Sequence, residues 1–284
     1  MKCRPFTAFA ALLIAFAAPV AHAKAKTAPA LAAPAPKRII SLSPGVTEML
    51  FALGLGGKVV GDTMYCDYPE AAKKITKIGD VRPNYEKIVS LKPDLIVVDE
   101  VAEKSAVLRL RQLRQPVFVV HPDSFAAVER SLIVIGDATG RAAQAKAVVA
   151  GMESKRRQAA SFAKNRPGTH PKVFFVATLR PLWTAGRGTF VDDVVAIAGG
   201  ENVAHGVQGY AEYSKELLFS NPPSVIFADD QDLSAIRADP ALRQLPAVRT
   251  GRVAGDGGEM IQRPGPRLAD AALYIARVLY GDRR

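Results

Sequence analysis

Two stretches of this chain can be laid on each other without a gap. Glu86-Lys-Ile-Val-Ser90-Leu-Lys-Pro93-Asp-Leu95-Ile-Val-Val-Asp99 matches Glu216-Leu-Leu-Phe-Ser220-Asn-Pro-Pro223-Ser-Val225-Ile-Phe-Ala-Asp229, and Glu, Ser, Pro and Asp recur at an offset of 216 − 86 = 130. Each copy reads as a short helix, a proline break and a buried strand. Such a repeat predicts two halves of one topology, with Glu86 and Glu216 in equivalent places. Helix-proline-strand junctions are also common in α/β proteins generally, so repeat and coincidence both stand at this point.

The rest of the pattern agrees with two α/β halves. Ile39-Ile40-Ser41-Leu42 is a short β-rich run, followed by Ser43-Pro44-Gly45 and a helical pattern with apolar Val46, Met49, Leu50 and Leu53, stopped by Gly54. Val59-Val60-Gly61, Leu95–Val98 and Val117–Val120 read as further strands with helical stretches between them, which implies a parallel sheet. Arg141 to Lys164 contains no Pro and a single Gly, so it predicts one helix of about 24 residues, roughly 36 Å long. A second alternating series starts at Val173–Val176 and continues through Val225–Ala228, and Leu268 to Tyr280 is helical. The fold class is therefore α/β: two Rossmann-like lobes with parallel sheets, joined by a single long α-helix. The expected boundaries are 38–140 for the first lobe, 141–165 for the helix and 166–284 for the second.

The first residues stand apart. Met1, Lys2 and Arg4 form a basic start, Phe6 to Val20 is apolar but interrupted by Pro19, and Ala21-His22-Ala23 offers small residues at a cleavage site. This predicts a signal peptide at 1–23, removed on export. Cys3 precedes the apolar run, so no lipid-attachment cysteine is expected. Lys24–Lys37 is nearly all Ala, Pro and Lys and reads as a disordered leader. The formal charge of +11 falls to 11 − 2 = +9 in the mature chain, and its basic residues are scattered rather than gathered into a nucleic-acid stripe. Cys66 is then the sole cysteine, which excludes an internal disulfide.

No enzyme signature is present: there is no Gly-x-Ser-x-Gly, no Walker loop and no His-Glu-x-x-His. Gly54-Leu-Gly56-Gly57 precedes a strand instead of opening a helix, so it reads as a helix stop. His121, His170 and His205 lie far apart and predict no metal cage. His121, after the strand ending at Val120, is placed either to cap that strand or to reach a metal-centred ligand. Aromatic and polar residues at strand ends are the stronger signal: Tyr65-Cys66-Asp67-Tyr68-Pro69, Arg180 to Gly186 around Trp183, and Gly209-Tyr210. Flat rings on opposed lobes suit a large, flat, partly apolar ligand, although Trp183 is also readable as core. In Arg263-Pro-Gly-Pro-Arg267 a stiff loop carries two permanent cations. Arg263 is favoured for ligand contact. Arg267 is open between that role and pairing with Asp256, Glu259 or Asp270.

Together, the exported leader, Ile40-Ser-Leu-Ser-Pro-Gly-Val-Thr-Glu48, Tyr65-Cys-Asp-Tyr-Pro69, Leu91-Lys-Pro-Asp-Leu95, Gly199-Gly-Glu-Asn202 and the Arg-Pro-Gly-Pro-Arg loop resemble the periplasmic substrate-binding proteins of ABC importers. The branch is the helical-backbone one, whose members bind vitamin B12, iron siderophores or haem. The likeness runs from about Arg38 to Gly281 and is greatest to the vitamin B12-binding members. It implies a cleft lined by Ser43, Pro44, Tyr65, Trp183, Tyr210 and Arg263, with Cys66 where those members carry serine. A tryptophan expected before Asn84 is replaced by Asp80-Val81-Arg82-Pro83, and an acidic residue before Arg263 by Gln262. It further implies that Glu86 and Glu216 dock onto a twofold permease dimer, as a repeat would require. The expected protein is a periplasmic monomer that is not an enzyme and holds no resident cofactor. Its cargo is a corrinoid, with a ferric siderophore or haem as the alternative.

Overall fold

A computed structural model describes residues 35–80, 82–164, 168 and 170–281. The signal read at 1–23, and the leader up to Pro34, lie outside the described residues. In chain order the elements are β1 (Ile39–Ser41), α1 (Pro44–Ala52), β2 (Val59–Gly61), α2 (Tyr85–Ser90), β3 (Leu95–Asp99), α3 (Glu100–Gln112), β4 (Val117–Val120), α4 (Phe125–Thr139) and α5 (Ala142–Lys164). They continue with β5 (Lys172–Val176), β6 (Trp183–Ala185), α6 (Phe190–Ile197), β7 (Glu201–Asn202), β8 (Tyr210–Glu212), α7 (Lys215–Ser220), β9 (Val225–Ala228), α8 (Leu233–Ala238), α9 (Pro246–Arg249), β10 (Val253–Gly255) and α10 (Leu268–Tyr280).

Two four-stranded parallel sheets result, ordered β2-β1-β3-β4 and β10-β9-β5-β7. β9 is buried throughout, and β3 in all but its first residue, which is why these strands read as unbroken apolar runs. The repeat is real. α2 and α7 begin and end at positions 130 apart (215 − 85 and 220 − 90), Asn84 and Ser214 cap them through the backbone N–H groups of Lys87 and Leu217, and β3 and β9 follow at the same offset. Even the burial sequence of 84–90 is reproduced in 214–220.

α5 forms as predicted, one residue shorter at its start. Its buried residues Ala145, Met152 and Ala159 recur every seven positions and pack on α4 and α10. Small side chains let these helices approach: a Cβ on Gly136 of α4 would lie 2.6 Å from the Ala145 Cβ. One apolar cluster runs through α1, α4, α5, α6 and α10 and reaches residues of both sheets. The short strands β6, β7, β8 and β10 carry too few residues for a readable period, and the sequence analysis missed them.

Candidate ligand-binding site

In open parallel sheets, ligands sit outside the carboxyl ends of the strands. The candidate residues collect there: Ser43 and Pro44 after β1, Tyr65 after β2, Asp99 ending β3, His121 after β4, and the Ala177–Trp183 turn after β5. Tyr65 is 55% exposed, Trp183 38% and Tyr210 44%. Trp183 is therefore not core. It lies on β6, which pairs antiparallel with β8 so that Trp183 faces Glu212 and Ala185 faces Tyr210. The pleat puts Trp183 and Tyr210 on one face of this ribbon, within diagonal reach. The three-residue strands β6 and β8 are too short to show a period, so the sequence does not reveal this pairing.

Tyr210 also faces the other lobe. Desolvation first, and then the negative charge of Asp99 at the end of β3, push its phenol up, so it stays neutral and able to donate a hydrogen bond. Its ring packs at a tilt against Phe190, centroids 6.3 Å apart, and the open part of the ring remains reachable from solvent.

The loop bearing Tyr65 is held from both sides. Lys77 Nζ donates to Asp62 Oδ1 at 2.9 Å, to the Cys66 carbonyl at 2.7 Å and to the Ala72 carbonyl at 3.0 Å. Asp62 is fully buried, its second carboxylate oxygen has no hydrogen-bond partner, and burial pushes it up to about 6 against the pull of Lys77. The Cys66 thiol, beside the hydroxyls of Thr47 and Thr63, is also pushed up by burial, so it stays protonated and unreactive. On the other side, Arg263 Nη1 bonds Asp67. Against desolvation, which raises it, the Arg263 bond and charge hold Asp67 below the usual carboxylate range.

The arginines differ most from expectation. Arg263, favoured as a ligand contact, is only 7% exposed. Its guanidinium pairs with Asp67 and Glu259 and lies 3.8 Å from Glu48 Oε1. Arg267 donates from Nη2 and Nε to the two oxygens of Glu48 at 2.6 and 3.0 Å and from Nη1 to the Gly258 carbonyl at 3.1 Å, and sits 4.0 Å above the Tyr68 ring. Of the partners open to Arg267 in the sequence, none is used. Glu48 and Asp67 lie 219 and 196 positions away from the arginines they hold, beyond any local pattern. Burial pushes Glu48 up, opposed by the bond to Arg267, yet the two-point geometry is that of an ionised carboxylate. Three carboxylates thus surround two guanidiniums, and the 263–267 loop offers no net positive charge. The one local hint at Glu48 is an acidic residue inside the apolar stripe of α1.

Ser43 is buried, and its hydroxyl caps α1 by accepting from Val46 N at 3.4 Å. A Cβ on Gly45 would lie 2.5 Å from the Pro264 carbonyl oxygen, so the 263–267 loop rests on this helix start. Ser43 is thus the N-cap of α1, and half-buried Pro44 is its first residue. A cavity of about 440 Å³ is lined by Glu48 and Arg267 and lies between α1, α5 and the start of α10, and Tyr65, Trp183 and Tyr210 do not line it. Among the described residues no cluster of metal-ligating side chains occurs. Glu86 and Glu216 are exposed in the first turns of α2 and α7, and neither has an ion-pair partner among the described residues.

Comparison with known proteins adds the following. The family described as periplasmic binding protein matches residues 39–259. An uncharacterized ABC transporter substrate-binding lipoprotein of Bacillus subtilis is 32% identical over 254 residues, 87% of this chain and 81% of that one. A vitamin B12-binding protein of Yersinia pestis is 32% identical over 200 residues, 69% of this chain and 70% of its own. Among solved structures, a periplasmic heme-binding protein of Roseiflexus in its apo form superposes with a TM-score of 0.78 at 28% identity, covering 86% of this chain and 98% of that chain.

Proposed function

The chain belongs to the periplasmic binding protein family, the exported substrate-binding components of ABC importers, and from that premise we propose that it carries a corrinoid, cobalamin or a close relative, to an inner-membrane permease. The cargo lies between Tyr65 on one lobe and the Trp183–Tyr210 ribbon on the other, and is carried without chemical change. The observation that carries this reading is the neutralisation of both arginines of the 263–267 loop. Haem propionates or an anionic siderophore would need free cations, but Arg263 and Arg267 are already held by Glu48, Asp67 and Glu259. Exposed Arg180 lies in a surface hollow lined also by Asp229 and Asp232, so it adds no net positive charge. A corrin rimmed by neutral amides meets this surface without a charge penalty.

Burying about 300 Å² of apolar surface at ~25 cal/mol/Å² contributes roughly 7 kcal/mol gross. Association costs an estimated 4 to 15 kcal/mol, so lobes already fixed relative to each other by α5 favour binding. The alternative cargo, haem or a ferric siderophore, draws on the exposed Tyr65 and on His121 at the end of β4 as routes to iron. A ligand-dependent melting screen over cobalamin, cobinamide, haem and several siderophores tests the choice: cobalamin should raise Tm most. A larger rise with haem or a siderophore would transfer the role to that cargo.

Glu86 and Glu216 are the proposed permease contacts. The mature protein is proposed to begin at Lys24 and to carry no lipid, unlike the Bacillus relative; the intact mass of exported protein decides this.

A further inference from the structure

The two helices that carry the docking glutamates expose more than charge. Val89 is 42% exposed, Phe219 40% and Leu217 53%, so three large apolar side chains stand open on two six-residue helices. Val89 and Phe219 lie three positions after Glu86 and Glu216, on the same helix face as the carboxylate. Both helices are anchored alike beneath, by buried Ile88 and Leu218, and closed alike, by Ser90 and Ser220 hydroxyls donating to the carbonyls of Lys87 and Leu217 at 2.8 and 2.9 Å. At two equivalent places, then, an apolar side chain stands in water beside a carboxylate that has no ion-pair partner among the described residues.

We infer that each docking contact has two parts, the carboxylate and the apolar side chain three residues on, so that the partner presents a cation beside an apolar recess, twice, about a twofold axis. This rests on the permease-docking reading above and specifies the chemistry of the surface it meets. Glu and Ser are kept in both helices, while Tyr85, Lys87, Ile88 and Val89 of α2 are replaced by Lys215, Leu217, Leu218 and Phe219 in α7, so the second-lobe contact exposes more apolar surface.

The test places the photo-reactive amino acid p-benzoylphenylalanine at position 89 or 219 of the full chain. Each protein is added to spheroplasts of the producing organism lacking the native copy and irradiated at about 0.1 M and about 0.5 M salt. Both positions should cross-link to the same integral membrane polypeptide, and added salt should lower both yields several-fold. Glu86→Ala with Glu216→Ala should lower both yields about ten-fold at the lower salt. Different polypeptides, a second copy of this chain, no membrane polypeptide, yields indifferent to salt, or yields indifferent to the glutamates would each overturn the inference. Calorimetry with cobalamin on the same preparations reports the carrier reading separately, since docking geometry does not require that cargo.

Discussion

Arg267 holds Glu48 by two hydrogen bonds, 2.6 and 3.0 Å long, joining the loop ahead of the last helix to the first helix of the chain. Glu48 is 3% exposed, so removing its partner would strand a charge in the interior. Arg267→Ala should cost about 3–5 kcal/mol in denaturant unfolding. Adding Glu48→Gln should recover part of that loss. Equal stability of Arg267→Ala and the parent would show that this pair does not tie the lobes.

Asp62 predicts a pH dependence whose sign is unusual for a carboxylate. Its folded value is raised to about 6 from an ordinary 3.8, so the native state binds the proton more tightly than the unfolded chain. The stability it contributes is complete below pH 3.8 and is lost as pH rises through about 6, on the order of 2–3 kcal/mol. Asp62→Asn should therefore gain stability over the parent as pH rises from 4 to 7. A constant difference between the two across that range would contradict the assignment.

Tyr65→Ala and Trp183→Ala should each weaken cobalamin binding about ten-fold in calorimetry, by loss of ring contact. Because both side chains are exposed, Tm should stay within a degree or two of the parent. A large fall in Tm would assign them to the fold instead.

The lobes should move little on binding. α5 packs along α4 and α10, and one apolar cluster reaches residues of both sheets. The radius of gyration from X-ray scattering should change by less than about 1 Å when cobalamin is added. A contraction of several ångströms would show a hinge that this packing excludes.

Much of the scaffold was legible because the signals are local. Val117–Val120, Val225–Ala228 and Leu268–Tyr280 occupy the residues that periodicity assigned, and the offset of 130 exposed the duplication because each copy keeps its cap, proline and strand. The site was half legible. Tyr65 and Trp183 announce themselves as aromatics at strand ends, where packing alone does not demand them. The roles of Arg263 and Arg267 were hidden because Asp67 and Glu48 lie some two hundred positions away from them, and although Glu259 is close to Arg263 in sequence, a guanidinium reads the same whether free or neutralised. Lys77 gave no local cue either, since its three acceptors meet only in the folded loop.

Trp183 is the single tryptophan of the chain, so its fluorescence reports on the proposed site directly. Titration with cobalamin, which absorbs in the tryptophan emission range, should quench that fluorescence saturably at micromolar concentrations or below, whereas haem at the same concentrations should not saturate. Calorimetric binding of cobalamin that leaves the emission unchanged, or saturable quenching by haem alone, would contradict the account.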